Sequence, residues 1–93
     1  MKFDILFRGE NIRNSMRKCG YTPDKSGDAF SKPLRSGRFP KFHIYYIMRE
    51  GTVTLNLHLD QKQPSYQGSH AHSGEYKGAL LKAEVTRIKN ITH

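Results

Sequence analysis

KFHIYYIMR (41–49), EG (50–51) and TVTLNLHLD (52–60) decide the fold of this chain. The third string alternates without a break: Val53, Leu55, Leu57 and Leu59 fall on one side, and Thr52, Thr54, Asn56, His58 and Asp60 on the other. A strand points successive side chains to opposite faces, so a period of two marks a half-buried strand. The first string is rich in aromatic and β-branched residues, which suit a pleated surface. Glu50-Gly51 between them predicts a β-hairpin with a two-residue turn, Gly51 supplying the positive φ. Pairing Arg49 with Thr52 sets the register, because a slip of one residue would turn every side chain to the wrong face. Met48/Val53, Tyr46/Leu55, Ile44/Leu57 and Phe42/Leu59 then pair on the buried side. Ile47/Thr54, Tyr45/Asn56, His43/His58 and Lys41/Asp60 pair on the open side.

Downstream, QKQPSYQGSHAHSG (61–74) reads as a long polar loop, a length that usually carries function or disorder. A helix is expected from Glu75 to Lys89, with Leu80, Leu81, Val85 and Ile88 on its apolar face, Ser73 as N-cap and Glu75 in the first turn. Upstream, residues 22–40 are rich in Pro, Gly, Ser and Lys. Ala29–Leu34 is the one candidate strand there, and Pro33 predicts that it lies at an edge. Residues 10–19 predict a short helix with Ile12, Met16 and Cys19 on one face and Gly20 at the C′ position. In KFDILF (2–7), Phe3, Ile5 and Phe7 fit one side of an N-terminal strand, and the same residues fit the approach to a helix. The expectation is a single α+β domain over residues 1–93: a small antiparallel sheet with two helices packed on one face, in α-β-β-β-α order with room for the extra N-terminal strand. Tyr46 and Cys19 belong to the core in this reading.

The chain has 93 residues, 35% of them hydrophobic, and its ten Phe and Tyr residues make a compact core feasible despite that low fraction. Its single cysteine rules out an intramolecular disulfide and fits a reducing compartment. No signal-like or membrane-length apolar run is present, so the expected location is the cytoplasm and no membrane partner is expected. The net charge is +8, and it is uneven. Residues 8–41 hold nine basic and three acidic residues, a local balance of +6 in about a third of the chain. Such a segment attracts polyanions, of which nucleic acid is the commonest inside cells. Arg13, Arg17, Lys32, Arg35, Arg38, Lys41 and Lys62 are the expected phosphate contacts, and Tyr45 the best-placed stacking group, with Tyr66 and Tyr76 as further candidates. RNA is the favoured ligand. A basic factor that docks on an acidic protein surface is the alternative of a different class, and the oligomeric state is open.

Two resemblances bear on these expectations. The α-β-β-β-α order resembles the double-stranded-RNA-binding fold and the small HicA-type toxins that use that fold to cleave messenger RNA. The Gly-Ser-His of those toxins lies near the first strand, whereas here Gly68-Ser69-His70 follows the third expected strand, so no catalytic histidine carries over. The strings FPKFHIYY (39–46), LHLDQKQPSY (57–66) and AHSGEY (71–76) also resemble a family of small microbial proteins to which no activity is attached. That resemblance implies that the three strings act as one unit.

Four of the five histidines lie between residues 43 and 72. His43 and His58 should be direct cross-strand neighbours, and His70 and His72 sit in the loop that follows. With Asp60 and Glu75, these residues form a candidate site for zinc or another divalent transition metal, since imidazole and carboxylate suit such ions. His43 and His58 are equally candidates for the acid and base of a ribonuclease-like reaction, with Lys41, Lys62 or Arg38 stabilising the phosphorane. The sharpest expectation is that His43, His58 and His72 converge. The plain alternative is two surface histidines on a sheet and a solvated loop. There is no phosphate-binding P-loop, no dinucleotide fingerprint, no Cys-x-x-Cys and no nucleophile elbow.

Overall fold

A computed structural model describes residues 1–6, 11–61 and 73–92, with the side chains of 73–76 left aside. The element order is β1 (Lys2–Leu6), α1 (Ile12–Lys18), β2 (Thr22–Pro23), β3 (Ala29–Pro33), β4 (Lys41–Arg49), β5 (Thr52–Asp60) and α2 (Ser73–Thr92). The chain is therefore α+β, built on a five-stranded antiparallel sheet of order β1-β5-β4-β3-β2.

The β4–β5 hairpin sits near the middle of the sheet with the expected register, from Arg49↔Thr52 to Lys41↔Asp60. Its turn has positive φ only at Gly51 (+70°), and a Cβ there would meet no atom within 4 Å. Positive φ at the second central residue alone is the pattern of a type II turn. The N-terminal strand exists: β1 pairs with β5, placing Phe3 opposite Leu55 and Ile5 opposite Val53. Phe7 lies outside the described residues.

At the other side, β3 pairs with β4 but is not an edge, because β2 adds two residues beyond it. That differs from the edge position expected of Ala29–Leu34. The physical constraint behind the expectation still holds locally. The β2 ladder covers only Phe30 and Ser31, and Pro33 lies past its end, so no outer strand needs an N–H from Pro33.

The inward residues of four strands form one core: Phe3 and Ile5, Phe30, Phe42 and Ile44, and Val53, Leu55, Leu57 and Leu59. Met16 and Cys19 of the α1 segment and Leu81 and Ile88 of α2 belong to the same cluster, with Ile12, Tyr46, Leu80 and Val85 packed against it. Burial raises the Cys19 thiol pKa, the effect expected of a small core residue rather than a nucleophile.

Both helices differ in extent from the sequence reading. α1 is held at its start by Asn11, whose side-chain oxygen accepts from the Arg13 N–H at 2.7 Å. It closes in a Schellman motif, with Tyr21 N–H on the Met16 carbonyl, Gly20 N–H on the Arg17 carbonyl, and Gly20 at φ +93°. Tyr21 and Met16, the hydrophobic pair of that motif, are both core residues. α2 begins at Ser73 and runs to Thr92, so Ser73 lies inside the helix rather than before it. At 20 residues it is about 30 Å long, which lets it reach both β5 and β1.

Glu84 falls in the buried stripe of α2, three residues after Leu81 and four before Ile88, and is 6% exposed. A buried carboxylate must be paired and hydrogen-bonded. Arg87 supplies two bonds of 2.8 Å, through Nε to Oε1 and through Nη2 to Oε2. The Tyr21 hydroxyl donates a third, 2.6 Å, to Oε2. Arg87 Nη2 also donates to the Cys19 carbonyl at 2.6 Å, which ties α2 to the end of α1. Burial alone would raise the Glu84 pKa, but the hydrogen bonds from Arg87 and Tyr21 outweigh it and hold the carboxyl below the ordinary value of 4.5. Burial, with the bond to Glu84, pushes the Tyr21 hydroxyl far above its usual value.

Candidate functional site

The outward residues follow from the register. Along β5 they are Thr52, Thr54, Asn56, His58 and Asp60, and along β4 Lys41, His43, Tyr45, Ile47 and Arg49. β1 adds Lys2, Asp4 and Leu6, and β3 adds Ser31 and Pro33, with Ala29 on the same register but buried. Tyr45 stands at the centre of this surface and is 47% exposed. Its ring lies 4.7 Å from His43, two residues back on its own strand, and 5.9 Å edge-on from His58 across the hairpin. Three flat rings thus share one patch. A sheet produces this placement because same-face neighbours on one strand and diagonal neighbours on the next both fall within reach of aromatic side chains.

His43 is only 16% exposed and is held from both sides. Nε2 lies 2.8 Å from Asp24 Oδ2, and Nδ1 lies 3.1 Å from Asp60 Oδ2. Both contacts are hydrogen bonds when each ring nitrogen carries a proton. Asp24 is itself positioned: Ser31 Oγ donates to its other oxygen at 3.1 Å, and its N–H donates to the Ala29 carbonyl at 2.8 Å. The clamp therefore joins the β2–β3 turn to β4 and β5 through one imidazole. Asp24 was no part of the sequence-derived site. Nothing local marks it, since a turn aspartate is ordinary, and only the folding back of the turn onto Ser31 and His43 brings it in.

His43 and His58 are direct cross-strand partners, as the register requires. Asp60 faces Lys41 across the hairpin, yet its carboxylate bonds to His43, while the Lys41 ammonium lies 5.1 Å above the Phe39 ring. His70, His72, Lys62 and Tyr66 lie outside the described residues, as does the convergence of His72 on the hairpin. Glu75 and Tyr76 are on the first turns of α2, and their side chains are not described. Among the described residues, no group of three or more His, Cys, Asp or Glu side chains is arranged to hold a metal ion.

The basic residues divide into two groups. Arg35 and Arg38 are exposed on the loop between β3 and β4, which Leu34 N–H closes on the Pro40 carbonyl at 3.0 Å. Pro33 pairs with Lys41, so this loop leaves the sheet at the Lys41–Asp60 end of the hairpin. Arg13 and Arg17 are exposed on α1, whose Met16 joins the core. Lys32 is half-buried on the inward register, opposite Phe42, and its charge helps to lower the Glu84 pKa. Its chain also runs so close to Gly20 that a Cβ there would stand 3.0 Å from Lys32 Cε. Lys32 therefore faces away from the Tyr45 surface.

No helix among the described residues is long and apolar enough to cross a membrane. Comparison with protein families, with curated proteins and with solved structures returns no match to this chain.

Proposed function

We propose that this chain is a nucleic-acid-binding module, with RNA the favoured ligand, that stacks bases on the Tyr45 face of its sheet. The observation that carries the reading is the exposed Tyr45 ring between His43 and His58, on a sheet whose Lys41–Asp60 end carries the loop that presents Arg35 and Arg38. Bases stack on such rings whatever their sequence, because every base has a π-face. The clamp on His43 supports the same reading, since a ring fixed by two carboxylates gives Tyr45 a rigid neighbour. Phosphates would meet Arg35 and Arg38, with Lys41 at the base of the loop.

The enzymatic alternative draws less from this geometry. Both ring nitrogens of His43 lie within 3.1 Å of carboxylate oxygens, so neither is presented to a metal or a substrate arriving from solution. His58 alone would then have to serve as both acid and base.

The test is binding to single- and double-stranded RNA and DNA across a salt series. Each phosphate contact contributes a slope of about 0.7–0.9 in log K against log salt, so replacing Arg35 and Arg38 by Ala should lower the slope by roughly 1.5. The same change should weaken all sequences alike. Tyr45→Ala should cost about 1–3 kcal/mol for each base stacked on the ring. Absence of binding at low salt would refute the proposal. A preparation free of nucleic acid that co-purifies with one acidic protein would favour the protein-docking alternative.

A further inference from the structure

The net charge of the chain is +8, but among the described residues the surface that carries Tyr45 is not strongly basic. Lys2, Lys41 and Arg49 face outward there, and so do Asp4 and Asp60, with Asp24 reaching in from its turn. With the N-terminal ammonium at Asn56 Oδ1, the described residues of this face carry charges of both signs rather than a basic patch. A sugar–phosphate backbone laid across the rings would meet the Asp24 and Asp60 carboxylates at close range. Bases laid there would not, and their phosphates would fall at the rim, where Arg35 and Arg38 stand exposed. Such an arrangement requires unpaired bases, because a duplex turns its phosphates outward and keeps its base faces stacked.

The polar groups beside the rings then determine which base is accepted. Asp60 is two residues beyond His58 on the same face of β5, about 6.6 Å further along the strand. Its side chain is 39% exposed and only one of its oxygens is used by His43. A carboxylate is acceptor-only and has about four lone-pair positions, so most of its accepting capacity faces outward. The nearest cross-strand cation, Lys41, is turned toward Phe39. A base stacked on His58 would therefore present its edge to an acceptor. Cytosine answers with its N4 amino group, whereas uracil has a carbonyl oxygen at the equivalent position.

We infer that the Tyr45–His58 surface binds single-stranded nucleic acid and that Asp60 selects amino-bearing bases, cytosine over uracil among pyrimidines. This rests on the stacking reading above and adds to it a ligand form and a specificity residue.

Fluorescence anisotropy with labelled oligo(C) and oligo(U) of equal length tests it on the full chain. Oligo(C) should bind roughly tenfold tighter or more, the range of one good side-chain-to-base contact. Asp60→Asn keeps an acceptor for His43 and nearly the same shape, but adds an amide donor that can meet the uracil carbonyl. It should bring the C-to-U ratio close to one. An oligomer of N4,N4-dimethylcytidine provides the same test from the ligand side, without altering the protein, and should bind like oligo(U). Equal affinity of the unmodified protein for oligo(C) and oligo(U), or a dimethylated oligomer that binds as tightly as oligo(C), would overturn the selection by Asp60 while leaving stacking intact. No binding to either oligomer, or binding that Tyr45→Ala does not weaken, would overturn the stacking reading and this inference with it.

Discussion

Replacing Arg87 by Ala isolates the energetics of the buried Glu84 carboxylate. The change deletes two charge-assisted bonds to Glu84 and one to the Cys19 carbonyl, and leaves Glu84 with the Tyr21 hydroxyl as its remaining partner. Removing one member of a fully buried ion pair costs about 3–5 kcal/mol, mostly because the other charge is left without compensation. Arg87 is 38% exposed, so water can enter on its side and replace part of what is lost. The expected cost is therefore lower, about 2–3 kcal/mol. Against a total stability of about 5–15 kcal/mol for a domain, that is a large fraction. At about 4–8 °C per kcal/mol for a domain of this size, Tm should fall by roughly 10–20 °C. Urea unfolding followed by circular dichroism measures the change, with an unaltered m-value showing that the native state stays compact. Two controls test the cause. The penalty should shrink at a pH low enough to protonate Glu84, where there is no charge left to orphan. Replacing Tyr21, Glu84 and Arg87 together by Phe, Leu and Leu should cost less than Arg87→Ala alone, since no buried charge is then left unpaired and the Cys19 carbonyl loses its donor in both variants. An Arg87→Ala shift below about 0.5 kcal/mol, the size of an ordinary surface substitution, would refute the reasoning.

The same network predicts both pH limbs of stability. Glu84 has a folded pKa below 4.5, so its contribution is present above that value and is lost as pH falls through the folded one; Glu84→Gln should flatten the acid limb of a urea titration. Tyr21 has its pKa raised from 10, so its contribution is complete below 10 and is lost as pH rises beyond it; Tyr21→Phe should remove that alkaline loss. Gly51→Ala should cost about 1–2 kcal/mol in the same assay, from backbone strain at φ +70° alone, since nothing stands where the methyl would go. Leu57→Ala, at a fully buried position in the central hairpin, should cost about 2–5 kcal/mol, and a value under 1 would mean that the core collapses around the gap.

Several features were legible from residue order alone. The hairpin is the clearest, because unbroken alternation over 52–60 admits one register with a buried face, and Gly51 marks the turn. The cross-strand meeting of His43 and His58, and the outward position of Tyr45, follow from that register without further information. The Gly20 helix end and the core positions of Met16, Cys19, Leu81 and Ile88 were equally local, since each depends on a period or on one residue's backbone freedom. Other features depended on long-range contacts. β2 is two residues long and carries no periodicity, so only its ladder with β3 reveals it. Glu84 stood in the apolar stripe of α2, three residues after Leu81, but its partner Tyr21 is 63 residues away and no spacing rule links them. Asp24 reaches His43 across 19 residues, and Asp60 turns to the same imidazole rather than to the lysine opposite. Pattern within the sequence thus determined which face of the hairpin and of the two helices is buried. The partners of the charged groups on those faces were decided by tertiary structure, because an ion pair or a hydrogen bond depends on distances of about 3 Å that only the packing of separate elements sets.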